Sequence, residues 1–125
     1  MGVRLKGASV LAVFLCVAAA SPAVAQDAPY EGKLARLAEI LGSLHYLRNL
    51  CGETGSEWRE RMDALIAAEK PSEAERTRLV SSFNRGYRGF ADNYRRCTPS
   101  ALAAIDRYMK EGEGLSSDII SRYGN

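Results

Sequence analysis

The chain has 125 residues, with seventeen lysines and arginines against fifteen acids and a formal net charge of +2. Arg4 and Lys6, the apolar run over residues 10–20 and the small residues Ala23-Val24-Ala25 have the layout of an export signal, so residues 1–25 are expected to be a signal peptide cleaved after Ala25. The remaining residues 26–125 are then charge-balanced, which argues against general nucleic-acid binding, and they suffice for one small helical domain and not two.

Two other readings of the N-terminus are weaker. Leu15, not a small residue, precedes Cys16, which disfavours a lipid-modified cysteine, and the apolar run is shorter than the ~20 residues of a spanning helix. No later segment is apolar enough to cross a membrane. Cys16 leaves with the signal, so Cys51 and Cys97 remain, and two cysteines in an oxidising compartment point to one disulfide. A bridge closing so long a loop stabilises a small domain by roughly 4 kcal/mol in the chain-entropy model. A redox or metal-binding pair has less support, because there is no Cys-x-x-Cys and the lone His45 cannot complete a zinc site. No metal and no cofactor is expected.

From about Glu31 to Cys51, Leu34, Leu37, Leu41 and Leu44 form a stripe flanked by Ala38, Ile40 and Leu47, predicting an amphipathic helix with Gly52 as its C-terminal cap. Thr54 and Glu57 have capping-box spacing and open a second helix, with Trp58, Met62, Leu65 and Ile66 on its apolar face. It should stop near Glu69, since Pro71 disfavours helical geometry in the residue before it.

Ser72 and Glu75 form another capping box, and the third helix is expected to run through residues 84–97. On it, Leu79, Phe83, Tyr87, Phe90 and Tyr94 share one face, and Arg78, Arg85, Arg88, Arg95 and Arg96 the other. Gly86 and Gly89 suggest close approach by another element. Thr98 and Pro99 cap a fourth helix, whose face carries Leu102, Ile105, Met109, Ile119, Ile120 and Tyr123, and which Gly112 and Gly114 could bend or divide.

Four helices with short connections predict an all-α, antiparallel four-helix bundle. Cys51 at the end of the first helix and Cys97 at the end of the third then lie at the same end, as a disulfide requires.

No catalytic residues are indicated: one histidine and no free thiol make a poor nucleophilic site, and no glycine-rich phosphate loop is present. The binding candidates are His45, Arg48, Arg85, Arg88, Tyr87 and Trp58. His45 and Arg48 fall inside the leucine stripe, where a buried guanidinium needs a partner. Glu69 or Glu113 could supply an internal salt bridge; alternatively Arg48 grips a carboxylate or phosphate and His45 donates a bond. The arginine face could be a solvated helix back or could bind an acidic partner, and Trp58 and the tyrosines are core groups or stacking surfaces.

In residues 37–48 (LAEILGSLHYLR), 84–90 (NRGYRGF) and Cys97-Thr98-Pro99, the chain resembles a family of small, uncharacterised exported proteins of alphaproteobacteria. The resemblance covers nearly all of residues 26–125 and implies a periplasmic address, without an activity to carry over. The expectation that follows is a non-enzymatic binding or adaptor module of the cell envelope, whose partner is an envelope protein or an anionic cell-wall component. A periplasmic chaperone or stress protein is the alternative, and a peptidoglycan-active hydrolase a more distant one.

Overall fold

In the computed structural model, which describes residues 23–123 together with residues 2, 3 and 7, the chain forms four helices. They are α1 (Ala23–Leu50), α2 (Glu57–Glu69), α3 (Glu73–Ala91) and α4 (Pro99–Tyr123), and no strand occurs among the described residues. The apolar run assigned to an export signal lies outside the described residues. No helix of the described part is long and apolar enough to cross a membrane.

The first helix departs from its expected role as one amphipathic wall among four. It starts ahead of Glu31 and takes Pro29 inside it. Ala38, Ile40, Leu41, Gly42, Ser43, Leu44 and Leu47 are all buried, which in a helix means burial around the whole circumference. The other three helices occupy different sides of it, and extensive helix–helix contact always involves α1. Toward α3 it presents Glu31, Glu39, Gly42 and Tyr46; toward α4, Lys33, Arg36 and Leu47; toward α2, Tyr30 and Arg48.

The pairings give the directions of the helices. Glu31 meets Arg78 and Glu39 meets Arg85, so α1 and α3 ascend together. Lys33 meets Asp118 and Arg36 meets Glu111, so α4 descends along α1; Tyr30 with Glu69 and Arg48 with Trp58 show the same of α2. Cys51 and Cys97 stand at disulfide distance, with Cα atoms 4.9 Å apart, where the α1 and α3 ends meet.

Closest approach occurs between α1 and α3, and glycine permits it. A Cβ built on Gly42 would overlap the Phe83 carbonyl, and one on Gly86 would overlap the Glu39 carbonyl, with Ser43 Oγ at 2.8 Å. Gly89, paired with Gly86 in the sequence reading, has open space around it, so only Gly86 marks the crossing.

The ends of the elements follow local chemistry. Gly52, at φ +100°, closes α1 with the two reverse bonds of a Schellman motif, Glu53 N–H to Arg48 O at 2.9 Å and Gly52 N–H to Asn49 O at 3.4 Å. The predicted Thr54 cap is not used: Ser56 occupies the N-cap of α2 and donates its hydroxyl to Glu60 instead of receiving a helix amide. Ser72 accepts from Glu75 N–H, and Thr98 from Ala101 N–H at 3.1 Å.

The third helix is shorter than predicted. It ends at Ala91, where Asp92 and Asn93 favour side-chain-to-backbone bonding over helix, and the Asn93 amide donates to the Gly89 carbonyl at 2.8 Å. Tyr94, Arg95, Arg96 and Cys97 therefore belong to a connector, and the five-arginine face is broken after Arg88. In contrast, α4 runs unbroken through Gly112 and Gly114. On it Ile105, Met109 and Ile119 pack inward, whereas Leu102 and Ile120, assigned to the same face, are 55% and 69% exposed.

Candidate functional site

The six binding candidates fall into three separate places. Arg48 finds its partner in Glu53, not in Glu69 or Glu113. Both Nε and Nη2 reach Glu53 Oε2, Glu53 Oε1 accepts from Trp58 Nε1–H at 3.2 Å, and the guanidinium lies 5.7 Å from the Trp58 ring. Burial pushes the Glu53 carboxyl up, but the hydrogen bonds from Arg48 and Trp58 outweigh it and hold the group below the usual carboxylate range. This closed triad ties the start of α2 to the end of α1. It leaves Arg48 neutralised, which corresponds to the internal-salt-bridge alternative.

His45 turns the other way, toward α3. Its ring lies 6.0 Å from that of Phe83 and 5.7 Å from that of Tyr87, which in turn stands edge-on to Tyr46 at 5.3 Å. The Asn49 amide donates to the His45 carbonyl at 2.7 Å and lies 3.4 Å from Nδ1. Burial, then the positive charge of Arg59, lowers the His45 pKa from its ordinary 6.5. Arg59, on the first turn of α2 and 6.0 Å from the Phe83 ring, is thus the cation beside His45.

The arginines of α3 form the third place. Ser81, Asn84, Arg85, Arg88 and Gly89 line a shallow hollow of ≈ 440 Å³. Arg85 touches Glu39 at 3.3 Å across the α1 seam and is 68% exposed, so that pair is worth little. Arg88 has no ion-pair partner among the described residues, and no carboxylate lines the hollow. Beyond the helix end, Arg95 and Arg96 border a second hollow with Asn93, Tyr94 and Thr98.

A fourth place was missed by sequence reasoning. Because α2 and α4 both pack on α1 without closing on each other, they leave a groove of ≈ 660 Å³. Its floor is Leu37, Ile40, Leu41 and Leu44; Trp58 and Arg61 form one wall, and Met109, Glu113, Ser117 and Ile120 the other. Trp58 belongs here as an apolar wall group only 6% exposed. Neither His45 nor Arg48 lines the groove. The signal that could have revealed it was Ile120, which shares the apolar period of α4 yet is 69% exposed beside the buried leucines of α1.

Elsewhere charged groups tie α4 and α2 to α1. Arg36 makes a two-pronged contact with Glu111, both bonds at 2.8 Å; the hydrogen bond from Arg36, opposed by burial, lowers the Glu111 pKa. Tyr30 donates to Glu69 at 2.5 Å, and burial followed by that carboxylate pushes the phenol up to about 12. No group of three or more potential metal ligands occurs among the described residues.

No curated protein and no solved structure matches the chain. The seam glycines, the Arg48–Glu53–Trp58 triad, the α3 hollow and the groove all fall within residues 29–123, the span matched by one family model. By that match the chain belongs to the family described as Protein of unknown function (DUF2385).

Proposed function

We propose that this chain is an exported, non-enzymatic binding or adaptor module of the Gram-negative periplasm. In this reading the leader is removed after Ala25, the four helices form an antiparallel bundle, and a Cys51–Cys97 disulfide persists in the oxidising compartment. The module holds an anionic cell-wall component or an acidic envelope protein against α3.

One observation carries the reading: the α3 hollow joins two guanidinium groups and the side chains of Ser81 and Asn84, with no carboxylate in its lining. Arginine suits such a surface, since its planar fork engages carboxylates and phosphates with two bonds at once. Residues 26–125 are charge-balanced as a whole, which makes the attraction local, as selective docking requires.

The test is co-sedimentation with purified cell-wall sacculi and capture of crosslinked envelope proteins, comparing the parent with an Arg85→Glu/Arg88→Glu variant. Salt-sensitive retention by the parent, reduced about tenfold or more in the variant, is expected from losing two charge-assisted contacts. Equal recovery of both proteins would remove the basis for the α3 surface. N-terminal sequencing of the envelope-extracted chain checks the cut, and a start other than Gln26 would refute it.

A further inference from the structure

The α2–α4 groove differs from the α3 hollow in kind. Its floor is aliphatic, and its walls carry charges of opposite sign, Arg61 on α2 and Glu113 on α4. Arg61 lies 4.9 Å from the Trp58 ring and gives one bond to Glu57, and its side chain, with further guanidinium donors, is 59% exposed. Glu113 is exposed and has no ion-pair partner among the described residues. On the same wall Ile120 is 69% exposed, an aliphatic knob beside an aliphatic trough.

These features are complementary to one another. A two-fold operation exchanges the walls, so a surface bearing a cation on one rim, an anion on the other, and both a knob and a trough can satisfy itself twice. We infer that the groove is the interface between two copies of this chain, with α4 of each lying in the groove of the other. Ile120 of one copy then enters the trough of its partner, and Glu113 faces the partner's Arg61, in both directions. Gly112, Ser116 and Ser117 keep the middle of the α4 wall low, which lets two α4 helices cross closely. The α4 stretch from Met109 to Ile120 spans about 16 Å at 1.5 Å per residue, a length that a second helix covers in three turns.

The chain, expressed with its own N-terminal segment and purified oxidised, is examined by sedimentation velocity over a concentration series. A reversible two-chain species is expected. Glu113→Arg brings two arginines together on each side and should weaken dimerisation tenfold or more, and Arg61→Glu should do likewise. The double variant Arg61→Glu/Glu113→Arg restores opposite charges and should recover to within about threefold of the parent. Ile120→Asp should abolish the dimer.

Because any of these could also disturb folding, Ser117→Cys with a short bis-maleimide is a separate measure. It should give a covalent two-chain product, whereas Leu102→Cys, exposed at the other end of α4, should not. A one-chain mass at every concentration, or a dimer indifferent to Glu113→Arg and Ile120→Asp, overturns the inference. Loss of the α3 reading would leave it untouched, since Arg85 and Arg88 are not in the groove.

Discussion

The two sides of α1 are built in opposite ways. Against α3 the backbones touch, because Gly42 and Gly86 remove the side chains that would hold them apart. Between α2 and α4 the same helix lies under an open trough floored by leucine and isoleucine. The first arrangement fixes geometry and has no room to adapt, whereas the second leaves an open hollow, the exposed Ile120 and two rim charges available. Rigidity and availability are thus segregated onto different flanks of one helix.

The sharpest way to break the contrast is to cut the tie at the end of the tight seam. Cys97→Ser should cost about 4 kcal/mol in urea unfolding, from the entropy of a loop whose ends are separated by 46 positions. Next comes the seam itself. Gly86→Ala forces α1 and α3 apart and should cost about 1 to 3 kcal/mol, with Gly42→Ala similar. Gly112→Ala, facing the groove, meets only Ile40 Cγ2 at 3.4 Å and should be near neutral. If the two sides gave equal losses, the distinction between a closed seam and an open groove would fail.

Acid should weaken the seam before the groove. The folded state lowers the His45 pKa, so it favours the neutral imidazole between Phe83 and Tyr87. That contribution is fully present above the unfolded value of 6.5 and is lost as pH falls through the folded value. Thermal melts from pH 7.5 downward should show a decline starting near that unfolded value, and His45→Gln should remove this limb. The smallest non-zero effect is a gain. Gly89→Ala introduces a helix former where nothing is crowded and should add up to about 1 kcal/mol, measurable as a higher urea midpoint.

Helix identity was legible because apolar spacing, Ser72 and Thr98 caps and the prolines agree. The pairing of the cysteines was legible for the same reason. The centrality of α1 was not, although Ile40 and Leu47 on the flanks of the leucine stripe already hinted at burial all round. A stripe analysis asks which face is apolar and does not ask how many neighbours that face must serve. The end of α3 was misplaced because Tyr94 continues the aromatic spacing; the side-chain chemistry of Asp92 and Asn93 won over the period. Arg48 could not be assigned from periodicity either, since Glu53 reaches it only after Gly52 reverses the chain.

The continuous helix from Ala23 through Pro29 has a consequence for maturation. On the proposed cut after Ala25, the scissile bond lies inside a helical turn, whereas peptidases take their substrates extended. That turn must melt before processing. Pro29 makes melting inexpensive, because it has no N–H to bond to the carbonyl of Ala25. After the cut it sits among the first residues of the shortened helix, where amide donors have no intrahelical partner in any case. If the proposed cut is made, one residue thus provides a weak link before it and a suitable helix start afterwards.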